Sequence, residues 1–132
     1  DLLYTSLEKI DKVKIYLEKL SGSTNVIWLG SRVEPRIAKK TMIKRGCNSR
    51  WDVAQNLEET FNKLDNDIAN ILENNTSIRY ISFIDRYKVD FSRDFMNCSK
   101  LFWRDETHLS LDGILLLGQR YKIINDNKLF LR

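Results

Sequence analysis

The chain has 132 residues, of which 42% are hydrophobic and 11% aromatic, and this suits one domain with a packed core. No stretch approaches the roughly 18 apolar residues of a membrane-spanning helix, and residues 2–9 do not resemble a signal peptide. We therefore expect contact with a membrane only through an attached domain. The 22 basic and 18 acidic residues give a net charge of +4, which raises the question of nucleic-acid binding.

The basic residues are scattered, and their densest cluster is residues 36–45. No aromatic side chain is interleaved there to stack on bases, so we expect no nucleic-acid partner. We interpret the cluster as a solvated surface, with contact to a phosphate or an anionic glycan as the alternative.

Two cysteines and one histidine are too few for an ordinary metal site, so we expect chemistry without a metal or other cofactor. Cys47 and Cys98 either form a disulfide, if the protein lies outside the cytosol, or remain free buried thiols. The compartment stays open between cytoplasmic and extracytoplasmic. The sequence does not begin with methionine, and we expect it to be part of a longer protein.

The first third of the chain predicts a helix followed by a strand. Apolar residues recur at helical spacing over residues 3–20, and Ser21-Gly22-Ser23 is typical of a helix end. Residues 25–31 form a continuous apolar run, which favours a strand covered on both faces, as in a parallel sheet. The basic residues 36–48 predict one short helical turn and a loop.

A second helix is predicted to begin at Ser49, with Ser49 and Asp52 forming a capping box. Its apolar residues recur at spacings of three and four and predict one buried face: Val53, Leu57, Phe61, Leu64, Ile68 and Leu72. The opposite face is expected to be solvated and carries Glu58, Glu59, Lys63, Asp65 and Asp67.

A turn at residues 74–77 leads into a second predicted strand at 79–85, where Tyr80 and Phe83 are typical strand formers. A long loop is expected over residues 88–107. Ser110 can cap a last helix over residues 111–124, which is apolar nearly all round and is therefore predicted to be buried. Residues 128–131 predict a short edge strand.

Alternating helices and strands indicate an α/β fold in which a right-handed crossover joins two parallel strands. Ligands of such sheets bind at the carboxyl ends of the strands, where Asp85 and Arg86 are expected. The long loop is predicted to bring Asp105 and His108 to the same edge.

The stretch Leu101-Phe102-Trp103-Arg104-Asp105-Glu106-Thr107-His108-Leu109-Ser110 contains the only histidine, with an aspartate three residues before it. Imidazole ordinarily titrates near neutrality, so a histidine held by a carboxylate is suited to transfer a proton. The carboxylate would fix the ring tautomer and stabilise the imidazolium. The alternative is a surface or helix-capping pair without chemistry.

The pattern Asp-x-x-His-Leu-Ser, followed by Leu111-Asp112-Gly113 and an apolar helix, resembles the last conserved block of the SGNH (GDSL) serine esterases and acyltransferases. It is most similar to the SGNH domains of sugar O-acyltransferases. The resemblance implies a three-layer, flavodoxin-like parallel-sheet fold, and roles for Asp105 and His108 in a Ser-His-Asp triad. The substrate it implies is an acyl ester, above all an O-acetyl ester of a carbohydrate, or another small ester.

The family's Gly-Asp-Ser and Gly-x-Asn-Asp phrases are missing, and no serine here has the context of a nucleophile. Residues 1–132 are therefore expected to be a single domain or the C-terminal half of an SGNH domain, with the N-terminal portion supplying the serine. The alternative is a non-catalytic SGNH-like binding or structural module that needs a partner segment. A nucleic-acid binder ranks below both.

Overall fold

The computed structural model describes residues 6–53 and 55–123, and it is a mixed α/β structure. Its elements in chain order are α1 (Leu7–Ser21), β1 (Val26–Leu29), α2 (Lys39–Arg45), α3 (Gln55–Leu72), β2 (Ile78–Ile81), α4 (Phe83–Tyr87), α5 (Phe91–Asp94) and α6 (Leu111–Ile123). The chain divides into two compact units. Unit 1 takes in residues 1–33 and 54–85, and unit 2 takes in residues 34–53 and 86–132.

Unit 1 is built on two parallel strands, as the sequence predicted. β1 and β2 pair in parallel with Val26 opposite Ile78 and Leu29 opposite Ile81. The apolar core of this unit comes from α1, α3 and β2, and its buried members are Ile10, Leu64, Ile68, Leu72 and Ile78. The helices and the sheet thus share one apolar core.

The apolar face predicted for α3 is confirmed at Leu57, Phe61, Leu64, Ile68 and Leu72, which are all buried. The prediction is wrong for Val53, which precedes α3 and is half-buried. The prediction that Asp65 is solvated is wrong. Asp65 is buried, and its Oδ1 accepts a hydrogen bond of 2.6 Å from the Tyr80 hydroxyl. Helical periodicity shows which face a residue occupies, but it does not show that a partner from a strand will satisfy a carboxylate on the edge of the apolar face.

Two predicted boundaries are wrong because local side-chain bonds act differently. Ser49 does not cap α3, since its hydroxyl donates to the carbonyl oxygen of Arg45 at 2.6 Å, and α3 begins at Gln55. The second strand ends at Ile81 rather than 85, because the Ser82 hydroxyl accepts from the Asp85 amide and starts α4. In both places a serine hydroxyl can form hydrogen bonds with more than one backbone group. The spacing of residues in the sequence does not show which of these bonds forms.

Unit 2 contains α2, α5 and α6 and a cluster of aromatic side chains. The rings of Trp51 and Phe95 lie 4.8 Å apart, and those of Phe91 and Trp103 lie 5.5 Å apart. Cys47 and Cys98 form a disulfide, which decides between the two states that the sequence allowed. The basic stretch forms α2, which has two turns rather than one. The predicted loop of residues 88–107 contains α5 and the isolated bridge between Met96 and Leu101, and Trp103 of this loop forms a second bridge with Leu109.

The last helix, α6, is not buried all round. Leu117 is buried, but Leu111 is 73% exposed and Ile114 and Leu115 are exposed as well. Ser110 caps this helix as predicted, since its hydroxyl accepts from the Gly113 amide at 3.1 Å. An apolar composition therefore does not by itself bury every face of a helix.

The α/β class is confirmed in its general form, and the three-layer arrangement stays a prediction. The handedness of the crossover and the single-domain organisation of residues 1–132 also stay predictions. The edge strand predicted at residues 128–131 lies outside the described residues. None of the helices within residues 6–53 and 55–123 has the length and hydropathy to cross a membrane.

Candidate functional site

Asp105 and His108 lie on a tight loop of unit 2 that is closed by backbone hydrogen bonds. The Arg104 amide donates to the His108 carbonyl at 2.8 Å, and Trp103 and Leu109 form an antiparallel bridge. Trp103 is buried against Phe91, so the base of the loop is fixed in the apolar part of the unit. The loop therefore presents Asp105 and His108 from an ordered base.

The C-terminal side of the loop is held by α6. The Ser110 amide donates to the Phe102 carbonyl at 3.0 Å, and the Ser110 hydroxyl donates to the Leu101 carbonyl while it caps α6. Gly113 packs so closely on Phe102 that a Cβ there would collide with the Phe102 carbonyl oxygen. The Leu-Ser and glycine of the sequence pattern thus anchor the loop rather than take part in its chemistry.

The Asp105 carboxylate organises the loop between itself and the histidine. Its Oδ1 accepts from the Thr107 amide at 3.0 Å and from the His108 amide at 2.9 Å. An aspartate that bonds the amides two and three residues later is a common turn device, and it explains why the spacing of three places the two side chains together.

The same carboxylate contacts the imidazole ring. His108 Nδ1 lies 2.9 Å from Asp105 Oδ1 and 3.1 Å from Oδ2. The hydrogen bond from the Thr107 amide, followed by those from His108, lowers the pKa of Asp105 well below its ordinary value, although desolvation opposes this. The carboxylate is ionised at neutral pH and can only accept, so Nδ1 must carry the proton and donate it to Asp105.

This tautomer leaves the lone pair of the ring on Nε2. Within the described residues, the polar contacts of the His108 ring all involve Nδ1, whose N–H is directed at the Asp105 carboxylate and lies 3.1 Å from the Thr107 hydroxyl oxygen. The His108 side chain is 60% exposed and that of Asp105 is 42% exposed. The pair therefore offers an oriented base to a group that approaches from solvent.

A second charged group in unit 2 was not singled out from the sequence. Asp94 is only 2% exposed, and Arg120 of α6 binds it through two hydrogen bonds of 2.5 and 2.6 Å. Burial raises the pKa of Asp94, but the hydrogen bonds from Arg120 and Arg93 outweigh this and lower it to about 2. The two residues are 26 positions apart, so no local pattern links them. This ion pair ties α6, and hence the loop that precedes it, to α5.

No serine among the described residues contacts the His108 ring, and the Thr107 hydroxyl lies at Nδ1 rather than at Nε2. Ser110 is engaged with Leu101 and Gly113, and no described serine hydroxyl forms a hydrogen bond to His108. Within the same residues there is no cluster of three metal-ligating side chains. Asp85 lies in unit 1 and His108 in unit 2, so their predicted place at one edge stays a prediction.

Comparison of the chain with family models, with curated proteins and with solved structures found no match.

Proposed function

We propose that this chain is the C-terminal part of an SGNH-type serine esterase or O-acyltransferase, to which it contributes the Asp105–His108 pair. The observation that carries the proposal is the contact of Asp105 with Nδ1, which leaves the lone pair on Nε2 of a side chain that is 60% exposed. That is the arrangement in which a histidine takes a proton from a serine hydroxyl. The similarity of the Asp-x-x-His-Leu-Ser block to the SGNH family supplies the class of substrate, an acyl ester and above all an O-acetyl ester of a carbohydrate.

In the proposed reaction, a serine from a segment outside these 132 residues attacks the ester carbonyl while His108 Nε2 accepts the hydroxyl proton. The imidazolium is stabilised by the Asp105 carboxylate and returns the proton to the departing alcohol, which leaves an acyl-serine. The ring then takes a proton from water in a hydrolase, or from an acceptor hydroxyl in a transferase, and that oxygen attacks the acyl carbonyl. The bond between the acyl group and the serine oxygen breaks, and the imidazolium returns its proton to the serine.

The small size and the exposed face of the sheet in unit 1 support the proposal that a further segment of the protein packs against it. Parallel sheets are covered on both faces and extend over several strands, yet within residues 6–53 and 55–123 this sheet has two strands, and Ile27 and Leu29 of β1 are exposed on one face. We propose that the segment with the serine adds strands and helices here and completes a three-layer fold.

The decisive experiment compares His108→Ala with the parent in the full-length gene product. We expect kcat/KM for p-nitrophenyl acetate to fall by roughly 10³-fold or more, because the serine loses its base. Lys100→Gln is the matched control, since Lys100 lies in the same unit and its ion pair with Asp112 is exposed to solvent. Wild-type turnover by a folded His108→Ala protein, with its thermal midpoint measured alongside, would refute the proposal.

The alternative is a non-catalytic SGNH-like module, and it is favoured by the lack of any described serine on the His108 ring. A fluorophosphonate probe separates the two functions. Labelling of one serine in the full-length protein, reduced by His108→Ala, supports the esterase or acyltransferase. No labelling of the folded full-length protein supports the binding module.

A further inference from the structure

The positive charge of the chain is concentrated in the unit that carries the Asp105–His108 pair. Unit 2 has 15 basic and 8 acidic residues, whereas unit 1 has 7 basic and 10 acidic residues. Residues 36–50 contain six of these cations and no acidic residue: Arg36, Lys39, Lys40, Lys44, Arg45 and Arg50. The net charge of +4 is therefore the sum of two units of opposite sign.

Helix α2 exposes three of these cations without a compensating carboxylate. Met42 is buried and fixes one face of the helix, while Lys40 and Lys44, four residues apart, share the opposite face and repel each other. Within the described part of the chain neither they nor Lys39 contact an acidic side chain. On the helices of unit 1, by contrast, three of the lysines pair with a carboxylate four residues away: Lys12 with Glu8, Lys14 with Glu18, and Lys63 with Asp67.

The neighbouring arginines are already engaged. Arg45 lies over the Trp51 ring at 4.6 Å and donates to the Arg50 carbonyl, and Arg50 pairs with Asp52. Arg36 pairs with Glu34 at 2.8 Å. The three lysines of α2 are thus the cations of this segment that remain available to a ligand.

A backbone contact links the basic segment to the loop of Asp105 and His108. The Arg36 amide donates to the Glu106 carbonyl at 3.0 Å, and Glu106 is two residues before His108. Arg36 has a φ of 51°, a left-handed conformation that is unfavourable for a residue with a Cβ. Because four residues span at most about 14 Å, Lys40 lies within that distance of the contact. The exposed lysines therefore lie within a distance of the His108 loop that a few sugar units of one glycan chain can span.

We infer that the Lys39, Lys40 and Lys44 surface binds an anionic carbohydrate chain, whose acyl ester lies at His108. This rests on the proposed function and narrows its substrate to a glycan that carries carboxylate or phosphate groups. Single point charges on flexible stems suit repeated anionic groups along such a chain. A nucleic acid is disfavoured because the segment has no exposed aromatic side chain for base stacking.

The test measures equilibrium binding of the full-length protein to polygalacturonate, with dextran as the neutral glycan and a single-stranded oligonucleotide as the other polyanion. We expect Lys40→Gln with Lys44→Gln to raise the Kd for polygalacturonate about three- to tenfold, as loss of two exposed ion pairs predicts. Binding of the parent should weaken from 50 to 300 mM NaCl, concentrations that shorten the range of exposed charges.

Lys9→Gln with Lys19→Gln is the matched control, since both lysines are exposed on α1 and the net charge changes equally. An equal rise in Kd in both double variants, equal binding of dextran, or tighter binding of the oligonucleotide would overturn the inference. No ester is turned over in this assay. The binding assay therefore tests the glycan surface alone, and the His108→Ala measurement tests the proposed function separately.

Discussion

At the scale of single residues, Asp105 does most to shape the site. Its carboxylate bonds the amides of Thr107 and His108 as well as the imidazole. The contact between the two side chains was predictable from a spacing of three, because the turn that creates it is local. The bond between Asp94 and Arg120 was not predictable, since it depends on how α5 and α6 pack.

Asp94 makes the stability of the folded protein depend on pH in the acidic range. Its pKa in the folded protein is lowered to about 2 from an ordinary value of 3.8, so the folded state favours the ionised form. The stabilisation is therefore complete above about pH 4 and is lost as the pH falls through about 2, with a size of roughly 2 kcal/mol.

We expect Asp94→Asn to lower the free energy of unfolding by roughly 3 kcal/mol at pH 7, because Arg120 loses its charged partner. The difference from wild type should shrink as the pH is lowered from 4 towards 2, where wild-type Asp94 becomes protonated. Urea unfolding at several pH values measures it, and exposed Asp11→Asn is the control. A difference that stayed constant down to pH 2.5 would contradict the role assigned to Asp94.

At the scale of elements, periodic patterns predicted α3 well, and contacts between elements decided the rest. α3 follows its apolar repeat because the repeat is a property of one segment. β2 passes into α4 at Ser82 because the Ser82 hydroxyl caps the helix. α6 exposes leucines because too few of the described elements pack against it. A single sequence does not reveal how many elements pack against a given helix.

The end of β1 shows how closely elements approach in unit 1. Gly30 donates its amide to the Ile81 carbonyl at 2.8 Å, and a Cβ at Gly30 would collide with the Tyr80 hydroxyl and lie 2.7 Å from Asp65 Oδ1. Burial and the hydrogen bond to Asp65 raise the pKa of Tyr80, so this hydroxyl stays protonated and keeps donating. Glycine is required here for space rather than for backbone freedom.

We expect Gly30→Ala to destabilise the protein by about 1–3 kcal/mol, because the new methyl group must displace Tyr80 or Asp65. Gly118→Ala is the paired control, since a Cβ there meets nothing within 4 Å and alanine favours the interior of α6. It should stabilise the protein by about 0.5–1 kcal/mol. Thermal unfolding of both variants measures this, and a neutral Gly30→Ala would show that the packing at Gly30 is looser than described.

At the scale of the whole molecule, the chain leaves unit 2 at residue 53 and returns to it at residue 86. The disulfide joins Cys47 to Cys98 across this excursion, with a sequence separation of 51 that includes α3 and β2. The sequence supplied two cysteines but not their state. Whether two thiols meet depends on a fold that brings distant segments of one unit together.

Closing a loop of this length restricts the unfolded chain, so we expect reduction, or Cys47→Ser with Cys98→Ser, to lower the free energy of unfolding by roughly 2–4 kcal/mol. Thiol alkylation under denaturing conditions, followed by mass measurement with and without reductant, counts the bridged cysteines. Modification of both cysteines without reductant would show that the bridge is absent. Cys47→Ser alone should destabilise the protein about as much as the double variant.

The hydrogen bonds from the Thr107 and His108 amides to Asp105 have a consequence for how the site tolerates motion. Since the acid is tied to the backbone of the base it orients, a displacement of the loop carries both together. The ring keeps its tautomer through such a displacement, and only its separation from an incoming hydroxyl changes. The surrounding structure can therefore shift the pair relative to a nucleophile without breaking the hydrogen bonds between Asp105 and His108.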